Sequence, residues 1–417
     1  MMGHIVVCGL GRFGVTIVEA LRSARRGVTV ITDARTNQDR IDRATAAGAT
    51  IVAGDFRCAG ARRAANLHGA AGVLLTTSND VDNLETALEI RDEVPMVPVV
   101  MRHSEPRLNR RLEADFGIQA AMSPALIAAD AFVQAALEAP SPQVASGRHA
   151  RRIVVPRPVV RPEYVLIPAV LLAIYGVAIV VFRASLGLDW IDAAYFATSI
   201  VTTVGFGDFN LQHAPGAVKL FGIALMFAGI VLIAIISSLL TIVIVSGTAD
   251  QVLNAARARR LHDHVVVCGI GQVGSAVARD LRRRGVRVVI VDPAAFDDDH
   301  RELRLRCPVI VGDATRPAVL GRAGIDRARA LVACTANDAL NLEIGLTAQS
   351  ILEGYRGSRP LRLVLRCFDA DVARRIHAVS ADYTLLSEAQ IAAPVFVRRA
   401  IEAAETASPR DAARGRS

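Results

Sequence analysis

The string His4-Ile5-Val6-Val7-Cys8-Gly9-Leu10-Gly11-Arg12-Phe13-Gly14 returns, almost letter for letter, as His264-Val265-Val266-Val267-Cys268-Gly269-Ile270-Gly271-Gln272-Val273-Gly274. Repetition at this distance limits the chain to duplicated modules. Each copy reads as a buried strand, a Gly-x-Gly-x-x-Gly loop and an amphipathic helix, the first running through about Ser23. The echo continues downstream. Strand two ends in Asp33 in one copy and Asp292 in the other, and Gly54-Asp55 is answered by Gly312-Asp313. Ser78 to Glu85 is answered by Ala336 to Glu343, and Arg102 by Arg366. Strands alternating with helices predict two α/β Rossmann-like domains, one over residues 1–137 and one over 264–402.

The glycines and acids define a candidate dinucleotide cleft in each module. Gly9 and Gly269 permit the tight turn, Gly11 and Gly271 let a pyrophosphate approach the backbone, and Gly14 and Gly274 allow close helix–strand packing. The helix N-terminus offers free amides to phosphate. Asp33 and Asp292 are placed to accept from ribose hydroxyls, which favours NAD(H) or an adenine nucleotide over NADP. Asn79 reads as a helix cap rather than a ligand contact.

Between the modules lies membrane-type sequence. Tyr164 to Phe182 carries no charge, and nineteen helical residues span about 28 Å, enough for a hydrocarbon core. Leu220 to Val245 is also uncharged. The predicted order is an outer helix 164–182, a short apolar helix 190–201, a loop 202–208 and an inner helix 218–247. A linker rich in Pro and Arg, 138–163, precedes this segment, and a second linker, 248–263, follows it. Arginines beyond the outer ends of both spans place both modules on the cytoplasmic side of a cell membrane, where the first linker could meet anionic lipid.

The loop is Thr202-Thr203-Val204-Gly205-Phe206-Gly207-Asp208. Set between two spans and after a re-entrant helix, it resembles the selectivity filter of the potassium channel family. The resemblance implies a homotetramer in which carbonyls of Thr203, Val204, Gly205 and Phe206, with the Thr203 hydroxyl, replace the water around K⁺. It also places Gly229 at the family's inner-helix gating hinge. Phe206 stands where the family usually has Tyr, so a hydroxyl that braces the filter is expected to be missing. Two Rossmann modules beside such a pore resemble RCK domains, regulators of potassium conductance. Their nucleotide roles carry over to Gly9, Gly11, Gly14, Asp33, Asp55, Gly269, Gly271, Gly274, Asp292 and Asp313. The second module keeps the family's Gly-Asp-Ala-Thr as Gly312 to Thr315, whereas the first has Gly54-Asp55-Phe56-Arg57. Ligand binding is therefore expected chiefly in the second. One module precedes the pore and one follows it, an order unusual in the family. The first module, on its long linker, is expected to be dispensable for selectivity, and 403–417 to be a disordered tail.

Composition narrows the alternatives. Hydrophobic residues are 52% and charged residues 21%, a mixture of membrane and soluble sequence. The net charge of +8 comes without a basic-aromatic stripe, so no nucleic-acid partner is expected. Six cysteines without a CxxC pair fit reduced thiols. Asp297-Asp298-Asp299 reads as a solvated acidic loop rather than a divalent-cation site. A ligand-gated potassium channel, not an enzyme, fits best. A membrane-anchored NAD-dependent oxidoreductase and a non-conducting nucleotide-binding regulatory subunit of an uptake system are the alternatives.

Overall fold

The structure is a computed structural model and describes residues 3–33, 35–138, 163–245, 248–294, 301–353, 360–368, 373 and 383–407. Most of the first linker and the Asp297 to Asp299 run lie outside the described residues. The chain forms two compact units, one from Met1–Val154 with Ala255–Ser417, the other from Val155–Asn254.

In the first unit, module one runs β1 (Ile5–Cys8), α1 (Arg12–Ser23), β2 (Val28–Thr32), α2 (Gln38–Ala46), β3 (Thr50–Ala53), α3 (Ala59–Ala64), β4 (Gly72–Leu75), α4 (Asp80–Glu93), β5 (Val99–Arg102), α5 (Pro106–Asp115), β6 (Ala120–Met122) and α6 (Pro124–Leu137). Its sheet is fully parallel in the order β3-β2-β1-β4-β5-β6. Every residue of β1 and β4 is buried, as their unbroken apolar runs require when helices cover both faces. Val6 pairs with Thr29 on one side and Val73 on the other. The order reverses between β1 and β4, which opens a crevice at the carboxyl ends of these strands.

The second unit comprises α7 (Glu163–Leu186), α8 (Trp190–Val201) and α9 (Gly216–Val245). Asp189 caps α8 by accepting from the Asp192 amide at 2.7 Å. Phe182 meets Phe196 edge-on, with centroids 4.8 Å apart, in a core with Ala178, Ala197, Ile200 and Leu225. Among the described residues, the 22-residue stretch Gly216–Ser237 is long and apolar enough to cross a membrane, with mean hydropathy 2.7 in its most apolar 18-residue window. Leu172–Leu186 and Trp190–Val201 form a second apolar pair bent by 118°, the geometry expected of a re-entrant segment.

After α9 comes α10 (Thr248–Arg259), so the stretch expected to be a plain linker carries a three-turn helix. Module two follows with β7 (Val265–Cys268), α11 (Gln272–Arg283), β8 (Val288–Asp292), α12 (Arg301–Arg306), β9 (Val309–Val311), α13 (Pro317–Arg322), β10 (Ala330–Ala333), α14 (Asp338–Glu353), β11 (Arg362–Arg366), β12 (Tyr383–Leu386) and α15 (Glu388–Thr406). Its parallel sheet repeats the first, in the order β12-β11-β10-β7-β8-β9. Helix α15 runs to Thr406, into the stretch expected to be disordered.

The modules are interlocked, each lending a helix to the other's core. Helix α6 belongs to module one by sequence, yet Ala125, Ala128, Phe132, Val133 and Ala136 share a core with Val265, Val267, Val332 and Val364 of module two. Helix α15 does the reverse. Ala389, Ala392, Phe396, Val397 and Ala400 pack on Ile5, Val7, Val30, Leu74 and Val100. Phe396 meets Phe13 edge-on at 4.9 Å. Alanine on both helices lets them sit close to the sheets, and each helix also buries one phenylalanine completely, Phe132 on α6 and Phe396 on α15. Polar contacts tie the exchange down. The Arg362 guanidinium donates to the Ala135 carbonyl at 3.2 Å and pairs with Glu138 at 2.8 Å.

Candidate pore loop and nucleotide clefts

The pore loop leaves α8 at Val201. The Thr203 amide donates to the Ile200 carbonyl at 3.1 Å, and the Gly205 amide to the Ser199 carbonyl at 3.3 Å. Thr203, Gly205 and Gly207 have φ of +64°, +55° and +81°, while Val204 and Phe206 do not have positive φ. Alternating backbone hand lets successive carbonyls point to one side. Thr203 adopts this conformation despite its β-branch, a strain retained where function requires it. The hydroxyl missing from Phe206 has a counterpart. Tyr195 on α8 stacks with the Phe206 ring, centroids 6.3 Å apart, and its hydroxyl lies near the Asp208 carboxylate. One turn further along the helix, the Tyr175 hydroxyl meets Thr198 Oγ1 at 2.7 Å. Gly229 sits against the end of α8, where an added Cβ would lie 2.6 Å from the Val201 carbonyl oxygen. Close packing thus gives this glycine a reason of its own.

In module one, Gly9 has φ +95° and faces Thr77, and a Cβ on Gly14 would fall inside the contact shell of the Gly9 carbonyl. A Cβ on Gly11 would meet nothing within 4 Å, so open space stands above the loop where a pyrophosphate is expected. Gly271 in module two is equally open, and Gly274 is as tight against Gly269. Both glycine loops therefore fit a nucleotide.

The acids differ between modules. Asp33 is exposed and uses Oδ1 to accept from the Arg35 amide at 2.9 Å. Asp292 is buried and turned into its own loop. Its Oδ2 accepts from the Ile270 amide at 2.8 Å and its Oδ1 from the Ala294 amide at 2.9 Å. Asp55 is held by Arg57, with Nη2 to Oδ2 at 2.7 Å, and Arg57 also reaches Asp82 at 3.3 Å. The Arg57 hydrogen bond holds the Asp55 carboxyl below the usual carboxylate range. Asp313 is instead bonded by Thr315, through its amide at 2.9 Å and its hydroxyl at 2.8 Å, which lowers its pKa as well. Asn79 is the cap expected of it, accepting from the Val81 amide at 3.1 Å.

Contacts across the modules were missed in the sequence. Arg12, the first residue of α1, lies 4.4 Å from the Phe368 ring centroid, and Arg366 lies 4.2 Å from the same centroid. Gln272, at the matching position of α11, donates to Ser104 Oγ at 2.6 Å and accepts from Arg102 at 3.3 Å. Arg366 forms a buried ion pair with Glu388, the first residue of α15. Burial pushes the Arg102 pKa down, while Glu388 and Asp80 oppose the shift. No signal within one module could disclose the contacts of Arg12 with Phe368 or of Gln272 with Ser104 and Arg102, because those partners lie in different halves of the chain.

Two parallel Rossmann-like sheets that exchange helices, joined in sequence to a helical segment with a sharply bent apolar pair, define the class: Rossmann-type modules carried with a membrane-type helical segment. The chain belongs to the TrkA-N domain family, whose model matches residues 5–124 and 265–387, and an ion channel model matches residues 168–246. Probable potassium channel protein 2 of Methanocaldococcus jannaschii is 26% identical over 193 residues, covering 44% of this chain and 56% of that protein. Potassium channel protein 1 of the same organism is 29% identical over 172 residues, covering 40% and 50%. The voltage-gated potassium channel Kch of Escherichia coli is 30% identical over 198 residues, covering 46% and 45%. The chain thus spans about half the length of these three relatives. The GsuK structure bound to ADP matches 96% of this chain and 70% of its own, at TM-score 0.55 and 16% identity, a likeness of fold. A GsuK channel bound to NAD matches at the same TM-score.

Proposed function

We propose that the protein is a potassium channel of the cell membrane, passing K⁺ through a pore of four copies under the control of nucleotides bound to cytoplasmic Rossmann modules. The observation that carries this is the alternating backbone hand at Thr203, Gly205 and Gly207, directly after the re-entrant helix. In a single copy Val204 and Phe206 are left exposed, which suits a loop completed by other copies around an axis. Carbonyls of Thr203 to Phe206 take over the ion's hydration. The names of the matched potassium channels support the choice of ion, and the open glycine loops at Gly11 and Gly271 support the choice of regulator. Gly9, Gly11, Gly14, Asp33 and Asp55 would hold the nucleotide in one module, and Gly269, Gly271, Gly274, Asp292 and Asp313 in the other. Nucleotide binding changes gating only through different affinity for the open and closed states. α10 follows the inner helix closely in sequence, so movement of module two has a short path to Gly229 and the rest of α9. The test is flux into liposomes containing the purified chain alone. Rubidium and potassium uptake that excludes sodium and changes with NAD⁺, NADH, ADP or ATP is expected. Absence of selective flux refutes the channel, and flux indifferent to every nucleotide refutes the regulation.

A further inference from the structure

The two clefts differ in a way that bears on which nucleotide each takes, granted the regulation proposed above. The first is a cleft of about 530 Å³ whose walls include Gly11, Asp33, Arg35, Arg40, Asp55 and Arg57. Arg57 is engaged by Asp55 and Asp82. Its backbone carbonyl accepts from Arg62 at 2.7 Å, and Arg62 is itself buried and paired with Glu89 and Glu93. Arg57 is therefore fixed in place and its charge is met. Arg35 and Arg40 are not. Among the described residues neither makes an ion pair or a side-chain hydrogen bond. Both follow β2, beside Asp33, one oxygen of which is already occupied by the Arg35 amide.

The second module reverses each feature. Asp292 is buried with both oxygens bonded to backbone amides. Ala294 stands where Arg35 does, and the sequence continues into Asp297-Asp298-Asp299.

We infer that the first cleft accepts an adenine dinucleotide phosphorylated on the 2′-oxygen of its adenosine ribose, and that the second does not. A phosphate monoester carries between one and two negative charges at neutral pH and matches the planar fork of a guanidinium. Two unpaired guanidinium groups beside one half-occupied carboxylate outweigh the repulsion that Asp33 alone would exert. The arginines thus reverse the preference for NAD that the acid suggests in the sequence. Arg35 and Arg40 are specificity-determining residues for the phosphate, while the glycine loop serves both dinucleotides alike.

The experiment is calorimetric titration of the full chain in detergent with NADP⁺ and, separately, NAD⁺. NADP⁺ is expected to bind at least as tightly as NAD⁺. In the double variant Arg35→Ala with Arg40→Ala, the NADP⁺ Kd is expected to rise about tenfold or more, from the loss of charge-assisted bonds, with little change for NAD⁺. Both side chains are unpaired, so the variant keeps its fold, checked by an unchanged melting temperature. Failure of NADP⁺ to bind the unaltered chain while NAD⁺ binds overturns the inference and leaves nucleotide regulation standing. Equal loss of both ligands in the variant overturns it too. If neither dinucleotide, nor ADP or ATP, binds, the proposed regulation falls with it.

Discussion

Truncating Phe396 to Ala should damage the module to which Phe396 does not belong in sequence. The ring is fully buried among Ile5, Val7, Leu74 and Val100 of the first sheet and meets Phe13 edge-on. Removing a buried phenylalanine typically costs about 3–5 kcal/mol, through lost transfer energy and the cavity left behind. In an opening equilibrium that is roughly a hundredfold to several-thousandfold more open state. The assay is native-state hydrogen exchange on the full chain. Amides of β1 and β4 should lose protection by about two decades or more, while those of β7 and β10 lose less. Phe132→Ala is the mirror experiment, because Phe132 lies in the core with Val265 and Val332. There the loss should fall on β7 and β10. Loss of protection confined, for each variant, to the module that carries it in sequence would refute the helix exchange.

Three further outcomes follow from the site geometry. Tyr195→Phe removes the hydroxyl near Asp208 while keeping the ring on Phe206, so potassium current should decay faster under sustained opening, read by recording from planar bilayers. Gly229→Ala places a methyl 2.6 Å from the Val201 carbonyl oxygen, a backbone contact that cannot swing aside; overpacking costs about 1–3 kcal/mol, and a lower melting temperature of the detergent-solubilised protein checks it. Arg57→Ala removes the guanidinium from Asp55. Because Arg57 holds the Asp55 pKa below its ordinary value of 3.8, its stabilisation is present above that pH and is lost as pH falls through the lower folded value. The variant should therefore be less stable at neutral pH, and the difference should close in acid melts as pH falls well below the ordinary carboxylate range.

The duplicated glycine loops, the acid after each second strand and the two uncharged stretches made the fold class legible in the sequence. These signals are local. A Gly-x-Gly-x-x-Gly turn, a cap such as Asn79 and a nineteen-residue apolar run are each set by backbone sterics, a single hydrogen bond or the thickness of a bilayer. The apolar character of α6 and α15 was legible too, but not the sheet each would cover. Amphipathic patterning says that a face must be buried and leaves its partner open. The two sheets are near copies, so either would accept either helix by composition, and only the packed structure shows the exchange. The same limit hid Arg12 on Phe368 and Gln272 on Ser104, whose partners are hundreds of residues away. It also hid the state of the acids. Sequence shows Asp33 and Asp292 at equivalent places, while the fold leaves one exposed and turns the other onto the Ile270 amide. Local chemistry thus determined which elements exist and where ligands and ions are expected. Long-range packing decided which helix stabilises which sheet and which charges remain unpaired, because burial and pairing depend on neighbours that only the folded chain brings together.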